Sequence, residues 1–173
     1  LPIGDKLIDQ VSSQAYKQLE RLAEKAEVPI ALLQGLKPWA AANQLTLMIF
    51  QKKGFTGEGL DMYLHAYAKQ NSIPIHGFET LVWQLNMFDE WSEQNSDDFV
   101  EFSTEDLDDV DSLVASLYAQ WQQGDYQTLY NEAEFEDYPL GEQAMLKDRN
   151  NAWMKKLLVA NSNTQCVAVG LLH

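Results

Sequence analysis

The chain has 173 residues, of which 46% are hydrophobic, enough for one domain of ordinary size with a substantial core. Its 26 acidic residues against 12 basic ones leave a net charge of −14, which repels nucleic acid phosphates and anionic lipid headgroups, so nucleic acid is excluded as a partner. No run approaches the length of apolar sequence that spans a bilayer, so no membrane span is expected in these residues.

Leu1-Pro2-Ile3-Gly4-Asp5 has neither the basic residues nor the apolar core of a signal peptide, and both ends of the chain look cut out of something longer. Ser12 or Ser13 then caps a helix whose apolar positions Tyr16, Leu19, Leu22, Ala23 and Ala26 recur at a spacing near 3.6, ending near Val28-Pro29. Residues 30–36 form another short turn of helix. Pro38 opens the next helix, which runs to about Lys53 and is apolar on more than one face, so it is expected to be central. Lys52, Lys53 and Gly54 supply its C-terminal signals.

A glycine-rich loop follows, and residues 60–70 read as a helix with Leu60, Leu64 and Tyr67 on one side. Residues 73–78 are short and β-branched and lead at once into a helical pattern of Leu81, Leu85 and Phe88, so they read as a strand feeding a helix. Pro74 places that strand at an edge or at its first residues. Residues 92–101 are polar and acidic, and Ser103 or Thr104 is expected to cap a helix carrying Leu107, Val110, Val114, Leu117 and Trp121, closed by Gly124. Asp125 caps a short helix, residues 132–139 form an exposed loop, and a last helix holds Leu146, Trp153, Leu157 and Leu158. Residues 164–169 read as a terminal strand, with Cys166 a buried structural thiol inside it. The sum is an α+β, predominantly α-helical single domain over 1–173, with about seven helices and two or so short strands, 73–78 and 164–169.

Several constellations carry chemistry. The acids at 97, 98, 101, 105, 106, 108, 109 and 111 invite a calcium reading, but the glycine and terminal glutamate of a calcium loop are missing, and a solvated helix entry accounts for them. His65 has no acid or cysteine at metal-ligand spacing. Neither a serine-nucleophile elbow nor a phosphate-cradling glycine loop is present. His76-Gly77-Phe78-Glu79 delivers an imidazole and a carboxylate to a helix start, a geometry suited to metal binding or proton transfer. Arg149-Asn150-Asn151-Ala152-Trp153 sets a cation and two amides on a helix start, although Trp153 is also a natural core anchor. Gly170-Leu171-Leu172-His173 follows the terminal apolar run, and the glycine lets the backbone turn and place His173 at a strand mouth.

Taken together, Lys37-Pro38-Trp39, Gly59-Leu60-Asp61, residues 73–80 with Gln84 and Phe88, Arg149-Asn150 with Trp153, and residues 167–173 occur in the order and spacing of the TraB/GumN family. The chain resembles that family over essentially its whole length; its members include bacterial pheromone-shutdown proteins and the animal TIKI proteases. The resemblance implies a larger α/β TIKI-like fold and a metal-dependent hydrolase, peptidase-like, whose site combines two Gly-x-x-His motifs and a glutamate. It makes His173 and Glu79 metal ligands and catalytic residues, with Arg149 a supporting catalytic cation, and implies a divalent ion (Mn, Co or Zn) and a peptide or protein substrate. His76 stands where family members often carry another residue and is not taken as a ligand. The first Gly-x-x-His is expected upstream of Leu1, so this chain carries half a site and is expected to be inactive alone. The resemblance also implies an extracytoplasmic setting, periplasmic or membrane-associated. Two alternatives stand beside the hydrolase: a non-catalytic module that binds or sequesters a peptide or protein, lined by some of the five Trp, seven Tyr and seven Phe, and a purely structural acidic helical domain. Strands without neighbours would leave unpaired edges and apolar faces, which favours a homodimer.

Overall fold

The computed structural model describes residues 1–55, 59–132, 137–159, 164–170 and 172–173. Helix α1, Ser13–Ala26, begins where Ser12 accepts a hydrogen bond from the Ala15 N–H, and it turns Leu19, Leu22 and Ala23 inward. Two short 3₁₀ turns flank it, Leu7–Asp9 and Ile30–Leu33, and the Leu7 N–H donates to the Gln34 carbonyl at 2.9 Å. Pro38 sits at the start of α2, Pro38–Lys52, where a missing N–H costs nothing. Ala41, Ala42, Leu45 and Ile49 of α2 are fully or nearly fully buried, which makes that helix central as its composition requires, while Leu47 on its far side is 58% exposed.

Helix α3, Leu60–Gln70, buries no residue at all. Helix α4, Leu81–Gln94, is capped by Thr80, whose side chain accepts from the Trp83 N–H, and it buries Met87 and Trp91 at helical spacing. The polar and acidic residues 92–101 are helical on both sides of Asn95, the first three completing α4. After a break at Asn95 they continue as α5, Ser96–Thr104, because Phe99 and Val100 are driven into the core against α1, α2 and α4. Trp91 meets the Phe99 ring edge-on at a centroid distance of 4.7 Å, and Phe102 at 5.5 Å.

A 3₁₀ turn, Glu105–Asp109, follows, so the next helix, α6, Val110–Gln123, starts later than its periodicity suggests. Its cap is Asp109, which accepts from the Ser112 N–H, and not Ser103 or Thr104. Gly124 ends it in the left-handed conformation at φ +70°, which a residue with a Cβ rarely adopts. Helix α7 is Tyr126–Glu132, with Asp125 accepting from the Thr128 N–H, and the expected loop that follows falls largely outside the described residues. The chain then passes through α8, Pro139–Glu142, a π-turn, Gln143–Lys147, and α9, Asp148–Val159. Gly141 lies against the Trp91 ring, so close that an added Cβ would stand 2.6 Å from it.

Neither predicted strand is present. Residues 73–78 and 164–169 carry no strand pairing, and there is no strand among the described residues. A β-branched run becomes a strand only when its backbone finds a neighbour to pair with, and each of these runs lies at the surface, with Ile73, Ile75, Val167 and Val169 each about half exposed. For the same reason Cys166 is exposed, not buried. No helix is long and apolar enough to cross a membrane among the described residues.

Candidate functional site

Glu79, Arg149 and His173, far apart in sequence, line one pocket of about 600 Å³ together with Asp61, Phe78 and Trp153. Glu79 is carried by the loop that enters α4, while Arg149, Asn150 and Trp153 come from α9. Positions 149 and 153 are four apart and therefore lie on one face of that helix. The Arg149 guanidinium grips the Glu79 carboxylate with Nε at 2.9 Å from Oε1 and Nη2 at 3.0 Å from Oε2. The Trp153 indole N–H adds a third bond, 2.8 Å to Oε1, and the Gln84 side-chain amide a fourth, 3.1 Å to Oε2. Arg149 also donates through Nη1 to the Met145 carbonyl, and its guanidinium carbon lies 4.8 Å from the Trp153 ring centroid.

Burial pulls the Glu79 carboxyl upward in pKa, but the hydrogen bonds from Arg149, Gln84 and Trp153 and the Arg149 charge outweigh it, so the group is held below the usual carboxylate range. Glu79 is an anion at every physiological pH.

His173 reaches the pocket through a turn in which its own N–H donates to the Gly170 carbonyl at 3.0 Å. Gly170 does not need its conformational freedom there: its φ is not positive, and an added Cβ would only touch the His173 ring at 3.7 Å. The ring lies 4.3 Å from the Trp153 ring, whose own indole stacks on Phe78 at 5.2 Å. Nδ1 is 2.8 Å from Asn150 Oδ1. With that oxygen as acceptor the proton sits on Nδ1, and Nε2 keeps a lone pair with no hydrogen-bond partner among the described residues. Burial, and then the nearby Arg149 charge, lower the His173 pKa against the opposing pull of Glu79, so the imidazole is neutral at neutral pH. A neutral ring with a fixed tautomer and a free Nε2 can accept a proton or bind a cation.

Other candidates fall elsewhere. His65 and His76 are exposed and line no part of this pocket. Of the acidic run, Asp97 accepts from the Ser12 N–H, Asp109 caps α6 and Asp111 pairs with Lys53, so these acids hold helix starts and a surface cation. Asn150 and Trp153 take roles that the sequence left open; their spacing of three on a helix places them near one another, but only the folded chain shows which one meets His173 and which meets Glu79. Asp61, at the pocket wall on α3, was legible only as part of a motif.

A divalent ion held by His173 and Glu79 fits these residues only in part. Among the described residues no group of three or more His, Cys, Asp or Glu is arranged to hold a metal ion. His173 Nε2 is a suitable donor, but the Glu79 oxygens are taken by Arg149, Trp153 and Gln84.

Among known families, the TraB/PrgY/gumN family model matches the chain over residues 1–173. No curated protein and no solved structure matches the chain.

Proposed function

The chain belongs to the TraB/PrgY/gumN family, and from that premise we propose that the pocket around His173 is part of a hydrolytic site acting on a peptide or protein. The observation that carries this reading is the His173–Asn150 contact at 2.8 Å, which spends Nδ1 on the scaffold and leaves a neutral ring with Nε2 unengaged. Such a nitrogen can take a proton from a water molecule attacking a carbonyl. The Glu79–Arg149 pair beside it supplies a fixed local field without needing to reorganise during the reaction. Metal dependence, with Mn, Co or Zn, belongs to the same family reading; among the described residues no group of three or more His, Cys, Asp or Glu is arranged to hold an ion, and no step is routed through one here.

The test is hydrolysis of peptide substrates by the protein that carries this chain, with and without each of those ions, beside His173→Ala. Loss of about two or more orders of magnitude in rate, with the helical circular-dichroism signal unchanged, is expected for removal of a general base. Full activity in His173→Ala would overturn the reading. A second reading is favoured by a separate observation: Leu60, Tyr63, Tyr67, Leu81 and Trp83, on the two helices that bear Asp61 and follow Glu79, are all more than 40% exposed. If the protein binds peptides tightly and cleaves none with any of these ions, a binding module replaces the hydrolase.

A further inference from the structure

We infer that Glu79 is a positioning residue, whose carboxylate fixes the wall on which His173 rests instead of ligating a metal ion. This rests on the reading of His173 as the reactive group. An ionised carboxylate offers about four in-plane acceptor positions. Oε1 takes Arg149 Nε at 2.9 Å and Trp153 Nε1 at 2.8 Å, and Oε2 takes Arg149 Nη2 at 3.0 Å and Gln84 Nε2 at 3.1 Å. None is left for an ion. Arg149 moreover stands where a metal would stand. Coordination by Glu79 would set two cations side by side, with only 14% of the Arg149 side chain and 7% of the Glu79 side chain exposed to water that could screen them.

What the carboxylate does instead follows from where its donors originate. Gln84 lies on α4, Arg149 and Trp153 on α9, so one side chain ties the two helices together. The bond to the indole N–H fixes the plane of Trp153, with Phe78 stacked on it at 5.2 Å and the His173 ring 4.3 Å away. Glu79 thereby acts on His173 through Trp153 without touching it.

The experiment is NMR of this chain with two variants, Glu79→Gln and Trp153→Phe, each with and without Zn²⁺. Trp153→Phe keeps an aromatic ring but deletes the indole donor, so it reports even if Glu79→Gln does not fold. In the wild type the Arg149 Nε–H and Trp153 indole N–H are expected to stay protected from solvent exchange after Zn²⁺ is added, whether or not the ion binds at His173. In Trp153→Phe, and in Glu79→Gln where folded, the His173 ring protons are expected to move from their ring-current-shifted positions. Loss of Arg149 Nε–H protection on adding Zn²⁺ would show that Glu79 had released its donors to become a ligand and would overturn the inference; so would His173 ring resonances left unmoved in the variants. Neither result depends on catalysis, so full peptidase activity in His173→Ala would sink the hydrolase reading and leave this one to be judged separately.

Discussion

Arg149 and Glu79 neutralise one another in a place that water barely reaches, and the cost of separating them is therefore set by desolvation. Arg149→Ala leaves an ionised carboxylate with two of its four donors and no counter-charge; an equilibrium urea titration is expected to show a loss of about 3 kcal/mol, the usual scale for breaking a buried pair from one side. Arg149→Lys would not restore it, because a single ammonium cannot span both oxygens as the guanidinium does. Acid acts on the same cluster with a defined sign. His173 and Glu79 both have folded-state pKa values depressed below their ordinary 6.5 and 4.5, so in each case the unfolded chain takes up the proton first as pH falls. The stability they contribute is complete above the unfolded values and lost below them, beginning under pH 6.5 with His173 and deepening under 4.5 with Glu79. Unfolding free energies measured across that range should fall in two stages, and His173→Gln should remove the first.

At the level of elements, Gly141 and Trp91 hold α8 against α4 by having nothing between them. A Cβ at Gly141 would stand 2.6 Å from the Trp91 ring, and Trp91 is itself boxed in by Phe99 and Phe102, so it cannot yield cheaply. Gly141→Ala is expected to cost about 1–3 kcal/mol by thermal or chemical unfolding, the range for overpacking a tight contact. That contact was not legible in the sequence, whereas α1, α2, α3 and α6 were, since each announces itself by apolar residues at helical spacing or by proline and glycine at its ends. Helix α5 hid because only Phe99, Val100 and Phe102 interrupt its acids and polar residues; Asp97 and Asp98 in its first turn, where the helix dipole favours them, were the clue. The two β-branched runs misled for the opposite reason. Local preference pointed to strands, but a strand is a pairwise object, and its partner is not a property of the run itself. That His173, Glu79 and Arg149 line one pocket agrees with where the resemblance set them, while Asn150, Gln84 and Trp153, quoted only as parts of motifs, show their contacts to His173 and Glu79 in the folded chain alone.

The whole molecule carries two opposed tendencies. A net charge of −14 drives copies apart, while Leu60, Tyr63, Tyr67, Leu81 and Trp83 lie open on α3 and the first turn of α4. Screening weakens the first tendency and leaves the second, because the Debye length falls from about 10 Å at 0.1 M salt to about 3 Å at 1 M. Self-association to a dimer is therefore expected to strengthen as salt rises, and light scattering after size exclusion at low and high ionic strength checks it. A monomer at both, at high protein concentration, would count against it.

The large buried cluster is drawn from the first two 3₁₀ turns, α1, α2, α4, α5, the 3₁₀ turn after it and the first residue of α6, while α9 buries only Trp153. The pocket is thus joined to the rest of the protein by the Trp153 indole, the Arg149–Glu79 pair and the Lys156 bond to the Phe78 carbonyl, and the dense interior lies in another part of the chain. Such an arrangement separates two free energies that a uniform core would make equal. The last helix is therefore expected to detach and re-dock while the rest stays folded, and amide hydrogens of α9 should exchange through a sub-global opening well below the global unfolding free energy. With such an opening the pocket would have assembled and dispersed states, and any ligand that bridges Asp61 on α3 and His173 would shift that equilibrium simply by holding the two sides together.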